Sequence, residues 1–262
     1  MGTEEYRLIE KDYITVIAGP CAIESEDQLD SIAKIVKESG LNFLRGGAYK
    51  PRSSPYTFQG LEEKGLRLLG KIGKKYGLKT VTEVTDADTV EKVAEYADIL
   101  QIGTRNMSNF ALLKKVSKVI HPSGRKVILK RGWASTIKEW LLAVEYLTAG
   151  GKNAEVVLCE RGIRTFEPYT RFTLDLSAVP VIKKLSKLPI IIDPSHATGQ
   201  SDLVIPMSRA AIAVGADGLI VEVHNKPEKA LCDGQQSLNK AQLEEMIKQV
   251  RFIADFFGKK IK

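Results

Sequence analysis

The residues of this chain that could do chemistry fall into two groups. The first is cationic: Arg45, Lys50, Arg52, Arg105, Lys130, Arg131, Arg161 and Arg164 stand at or just beyond the ends of short β-branched or apolar runs, with Ser53 beside Arg52. Arginine binds phosphate or carboxylate through two parallel hydrogen bonds, and lysine adds a compact charge. So many cations gathered at one rim would repel each other unless anionic ligands neutralised them. For any single arginine, a neighbouring acid is an equally good explanation; Glu83, Glu160 and Asp193 also stand at run ends. The second group is Cys21, His196, Glu222 and Asp233, a thiol, an imidazole and two carboxylates, which suits a borderline divalent ion such as Zn²⁺, Fe²⁺ or Mn²⁺. No local spacing such as HExxH joins these four, and a buried cysteine by itself is ordinarily inert packing.

What would bring such scattered residues together is a closed barrel. Eight runs recur: ITVIAG from Ile14, FLRGG from Phe43, KTVTEV from Lys79, DILQIG from Asp98, KVILKRG from Lys126, EVVLCERG from Glu155, PIIIDPSH from Pro189 and GLIVEVH from Gly218. They are short, rich in Val and Ile, and uncharged until their last residues, as strands buried on both faces should be. Between them lie stretches of helical period, among them Gln28 to Ser39, Leu61 to Tyr76, Thr136 to Leu147 and Leu203 to Val214. Strict alternation at this spacing calls for parallel strands with right-handed crossovers, and eight such units close into a (β/α)₈ barrel whose reacting groups collect at the C-terminal strand ends. In that closure strands one, seven and eight are neighbours. An open doubly wound sheet would carry GxGxxG after its first strand, whereas the turn here reads AGPCAIES.

The 262 residues match the length of one such barrel, so the chain is read as a single catalytic domain over 1–262 with a short N-terminal extension over 1–12. No apolar run is long enough to cross a bilayer and no signal pattern opens the chain, so a cytoplasmic location is expected. Three widely spaced cysteines argue against a disulfide framework. Cys159 reads as packing, and Cys232, next to Asp233, is left open. His121, in HPSGR, reads as part of a surface turn; His224 shares a face with Glu222 and could orient a ligand from behind. The formal charge of +7 calls for an anionic partner, but there is no basic stripe interleaved with aromatics, which speaks against nucleic acid. A Schiff-base aldolase with Lys130 as nucleophile would need that lysine in an apolar pocket.

Together, GPCAIES, RGGAYKPRSSPYTFQG, QIGTRNMSNF, LKRG, CERGIRTFE, DPSHATG and VEVHNKPEKALCDGQQSL, in this order over roughly residues 13 to 255, resemble the 3-deoxy-D-arabino-heptulosonate 7-phosphate (DAHP) synthase family in its short, barrel-only form. The resemblance implies a (β/α)₈ barrel that condenses phosphoenolpyruvate with erythrose 4-phosphate, releases phosphate and needs one divalent metal (Mn, Fe, Zn or Co). It implies Cys21, His196, Glu222 and Asp233 as metal ligands. It also implies a phosphoenolpyruvate pocket of Arg45, Lys50, Arg105, Lys130 and Arg161, with the carboxylate near Arg45 and Lys50 and the phosphate near Arg105 and Arg161. Arg52 and Ser53 would hold the sugar phosphate. Lys50 and Glu83 join Cys21 and His196 as the expected catalytic set: Glu83 would position the attacking water, and Lys50 would protonate the developing alkoxide if neighbouring arginines lowered its pKa. A homodimer or homotetramer is expected from the family habit. The rival is 3-deoxy-D-manno-octulosonate 8-phosphate synthase, whose second-strand loop typically reads Lys-Ala-Asn-Arg-Ser. Here the loop reads Lys50-Pro51-Arg52-Ser53, which favours the four-carbon acceptor.

Overall fold

In the computed structural model, which describes residues 6–51, 54, 56–151 and 153–262, eight parallel strands close on themselves. They are β1 (Tyr13–Gly19), β2 (Phe43–Arg45), β3 (Lys79–Val84), β4 (Ile99–Ile102), β5 (Lys126–Lys130), β6 (Glu155–Glu160), β7 (Ile190–Ile192) and β8 (Gly218–Glu222). Each pairs with its successor, and β8 returns to β1 with Ile17 opposite Ile220 and Gly19 opposite Glu222. A two-residue strand, β9 (Lys260–Ile261), runs beside the start of β1 and was not expected from the sequence. It is too short to carry a pattern.

Nine helices surround the barrel: α1 (Glu26–Glu38), α2 (Glu62–Tyr76), α3 (Val90–Tyr96), α4 (Phe110–Ser123), α5 (Ile137–Thr148), α6 (Ala178–Leu185), α7 (Pro194–Thr198), α8 (Ser201–Ala213) and α9 (Lys240–Phe256), counted among the described residues. Local chemistry fixes their ends. Ser25 caps α1 by accepting from Gln28 N, Thr136 and Glu139 form a capping box on α5, and Gly77 and Gly124 end α2 and α4 in the left-handed conformation. The helices bury one face against outward-pointing strand residues such as Val16, Leu44, Leu100, Val127, Leu158 and Leu219.

The barrel interior is a separate cluster of Ile17, Phe43, Val81, Ile99, Ile128, Val157, Ile191 and Ile220, one from each strand, with Cys159 added from β6. Strand side chains alternate, so the residue two positions on from each faces inward again, one layer nearer the C-terminal mouth. That next layer is Arg45, Glu83, Gln101, Lys130, Asp193 and Glu222. The same period that packs the core therefore aims the chemistry.

The described part of the expected N-terminal extension packs into the barrel floor. Leu8 is fully buried in the interior cluster, with Tyr6 and Ile9 against it. The Glu155 carboxylate accepts from Leu8 N and Ile9 N, both at 3.0 Å. Lys262 closes the same end, donating to Glu10 Oε1 at 2.6 Å and to the Arg7 carbonyl at 3.0 Å.

Candidate active site

The strand ends open into a cavity of about 290 Å³ whose wall includes Lys50, Glu83, Arg105, Lys130, Arg161, Arg171, His196 and Asp233. At its base one donor atom each from Cys21, His196, Glu222 and Asp233 lies within 4.8 Å of the other three. β1 delivers Cys21 and β8 delivers Glu222. His196 comes on α7, a five-residue helix that Asp193 caps by accepting from His196 N at 2.9 Å, with Pro194 at its first position and Gly199 ending it. Asp233 stands at φ 52°, in the left-handed region, at the head of the Gly234–Gln236 turn.

The partners behind these four orient them. Asp193 Oδ2 holds His196 Nδ1 at 2.8 Å, which leaves Nε2 facing Glu222 Oε1 at 3.2 Å. Arg45 donates to the same Glu222 oxygen at 2.9 Å, and Gln236 Nε2 donates to the other at 2.7 Å. Gln236 in turn accepts from Arg171 at 2.9 Å. Burial lowers the His196 pKa, outweighing the opposite pull of Asp193 and Glu222. Burial would raise the carboxyl pKa values of Glu222 and Asp233, but His196 and nearby arginines override it, and Asp233 is held at about 2. The Cys21 thiol goes the other way. A hydrogen bond with Cys232, 3.2 Å away, together with burial and Glu222, raises its pKa well above the ordinary value. A soft thiol beside an imidazole and two ionised carboxylates, each already oriented from behind, fits a borderline divalent cation, whose binding would displace the thiol proton.

Several expectations change in detail. Lys50 faces Cys21, donating to Sγ at 3.1 Å and to its carbonyl at 3.2 Å. Burial and Arg45 disfavour the ammonium, yet Cys21, Cys232 and Glu222 outweigh them and raise the Lys50 pKa, so the expected net depression does not occur. Arg45 is tied to Glu222 and lines a small adjoining recess with Lys50 and Glu83 rather than the main cavity. Lys130 is paired with Asp193 at 2.5 Å, a polar setting unlike the apolar pocket that a Schiff-base lysine requires. Arg131 is a structural cation, held by Glu160 at 2.9 Å and Asp175 at 2.8 Å. His224 reaches none of Cys21, His196, Glu222 and Asp233 and stands 3.5 Å from Glu24. His121 is buried in α4 against the Leu147 carbonyl at 2.9 Å, not on the surface. Arg52 and Ser53 lie outside the described residues.

Comparison with known proteins now adds to this geometry. Residues 4–254 match the model of the DAHP synthetase I family. The chain belongs to that family. A phospho-2-dehydro-3-deoxyheptonate aldolase of Thermotoga maritima is 55% identical over 95% of this chain and 72% of its own length. A crystal structure of a phospho-2-dehydro-3-deoxyheptonate aldolase from Thermotoga maritima superposes with a TM-score of 0.93 at 52% identity, over 100% of this chain and 75% of that one. A 2-dehydro-3-deoxyphosphooctonate aldolase of Syntrophotalea carbinolica is 33% identical over 92% of this chain and 90% of its own. Family membership accounts for the motif order, and the family is metal-dependent.

Sequence reasoning missed Arg171, Gln236, Trp133 and Phe172. Arg171 and Phe172 sit in the long β6–α6 connection, where no periodicity reports position, and their backbone is sewn to α7 through Arg171 N to the Thr198 carbonyl (3.0 Å) and Phe172 N to the Ala197 carbonyl (2.7 Å). Gln236 had a signal, since it falls three residues after Asp233 in the same turn. No chemistry of its own drew attention to it.

Proposed function

We propose that this site joins phosphoenolpyruvate to erythrose 4-phosphate and water, giving DAHP and inorganic phosphate, the first step of the shikimate pathway. The observation that carries the reading is the adjacency of the four-ligand cluster to a cavity walled by Lys50, Arg105, Lys130 and Arg161. The phosphoenolpyruvate phosphate lies at Arg105 and Arg161, and its carboxylate lies toward Lys50 and Arg45. Burial lowers the Arg161 pKa to about 10, so this arginine stays charged at neutral pH, and its Nη1 is buried without a hydrogen-bond partner among the described residues. A phosphate oxygen supplies that partner.

Cys21, His196, Glu222 and Asp233 would hold one divalent ion, which would supply Lewis-acid activation of the aldehyde carbon. The cationic wall fixes the enol ether so that C3 forms the new carbon–carbon bond and positive charge develops at C2. Glu83, on the wall of both the cavity and the recess, positions the water that adds to C2. The bond from C2 to the phosphate oxygen then breaks, leaving a ketone and hydrogen phosphate. The proton lost by the water balances the one gained at the former aldehyde oxygen, and Lys50, held as an ammonium 3.1 Å from Cys21 Sγ, is its donor.

The test is phosphate release from phosphoenolpyruvate with erythrose 4-phosphate or arabinose 5-phosphate in parallel. Faster turnover with the four-carbon sugar is expected. Faster turnover with arabinose 5-phosphate would move the assignment to the eight-carbon synthase, whose members are also recognisable relatives.

A further inference from the structure

Most buried arginines at this mouth are held by acids: Arg45 by Glu222, and Arg131 by Glu160 and Asp175. Buried Arg161 and Arg105, which is exposed on the cavity wall, are not. Among the described residues no hydrogen bond or ion pair fixes the Arg105 side chain, and Arg161 makes one hydrogen bond, to the His196 carbonyl at 3.3 Å. What holds both is aromatic. The Arg105 guanidinium lies 5.2 Å from the centre of the Trp133 ring, and that of Arg161 lies 4.0 Å from the centre of the Phe172 ring. The two rings are themselves stacked, 6.2 Å apart and within 4° of parallel. Gly162 makes room for this arrangement, because a Cβ there would sit 2.6 Å from the Phe172 Cβ.

We infer that Trp133 and Phe172 form an aromatic mount that positions Arg105 and Arg161 for the phosphate of phosphoenolpyruvate. Physical reasoning favours such a device over an ion pair. A carboxylate would orient a guanidinium but would also cancel its charge and occupy its donors. An aromatic face attracts the cation through its quadrupole while the N–H groups remain free for an incoming anion. The stacked ring pair links the two cations, and Trp133 carries the Arg164 guanidinium as well, 5.3 Å from its ring centre. Trp133 and Phe172 are therefore positioning residues, acting through the arginines, and the inference rests on the placement of the phosphate proposed above.

The test is steady-state kinetics on holoenzyme variants, with Arg105→Met as the reference for loss of a phosphate contact. Phe172→Leu should raise KM for phosphoenolpyruvate roughly tenfold, the range expected when a desolvated cation–π contact is lost, and Trp133→Leu, whose contact is with an exposed arginine, about fivefold. Their kcat and their KM for erythrose 4-phosphate should change by less than about threefold, and Trp133→Phe and Phe172→Tyr should restore KM to within about threefold. Circular dichroism and direct titration with phosphoenolpyruvate guard against misfolding, since a folded leucine variant must show the same loss in binding. An unchanged KM in both leucine variants, with Arg105→Met impaired, would overturn the mount and leave the phosphate placement standing. An unimpaired Arg105→Met would overturn both.

Discussion

At the scale of single residues, the site is built less from its ligands than from what stands behind them. Asp193 serves three partners at once: it caps α7, holds His196 Nδ1 and pairs with Lys130. Burial alone would raise its pKa, but His196 and Lys130 hold the carboxyl well below the usual range. Gln236 is buried with both ends of its amide engaged. Gln236→Met removes the donor to Glu222 without changing side-chain size much, and metal affinity of the chelator-stripped protein should fall about 10- to 100-fold in competition with a chromogenic chelator. Unchanged affinity would mean that Arg45 suffices to orient the Glu222 carboxylate. Asp175 gives a pH prediction. Burial would raise its pKa, but Ser177 and Arg131 donate to the carboxylate and lower it. A depressed carboxyl stabilises the fold above its unfolded value of about 3.9 and loses that contribution as pH falls through the folded value. Asp175→Asn should therefore cost about 1–3 kcal/mol near neutrality and flatten the decline of stability below about pH 4, as read from denaturant unfolding at several pH values. An unaltered acid limb would contradict this.

At the scale of elements, the eight barrel strands were legible because period and composition agree in buried parallel strands, and the interior residue and the functional residue of a strand share one parity. Phe43 with Arg45, Val81 with Glu83 and Ile220 with Glu222 are instances. The clustering of Cys21, His196, Glu222 and Asp233 followed from closure of the barrel together with the family motifs. Less was legible where the backbone leaves regular structure. Helix α7 carries a start signal in Asp193-Pro194 and a stop in Gly199, but at five residues it is too short for a hydrophobic period. The β6–α6 connection places Arg171 and Phe172 by hydrogen bonds to α7 that no local pattern announces. His121 was misjudged because Pro122-Ser123-Gly124 marks a helix end without revealing that the last turn packs under Leu147. The adjacency of β3 and β4 yields a further prediction. A Cβ at Gly103 would lie 1.9 Å from Glu83 Oε1, the flexible end of a side chain. Gly103→Ala should push Glu83 aside, lower kcat by more than about tenfold and leave the melting temperature within a few degrees. Full kcat in a folded variant would remove Glu83 from the reaction.

At the scale of the whole molecule, the barrel separates stability from chemistry along its axis. The floor is closed by Leu8 and the segment around it, and the mouth holds every proposed catalytic group. Leu8→Ala should cost about 2–5 kcal/mol by opening a cavity in the floor, with kcat and both KM values unchanged. Altered kinetics there would show that floor and mouth are coupled. No helix among the described residues is long and apolar enough to cross a membrane. In the proposed reaction the four-residue cluster beside the cationic cavity is the engine of a metal-dependent condensation. Its most direct test is phosphate release from phosphoenolpyruvate and erythrose 4-phosphate before EDTA treatment, after it, and after adding back Mn²⁺. Turnover that disappears with EDTA and returns with the ion is the predicted result; full turnover by protein verified to be free of metal would contradict it.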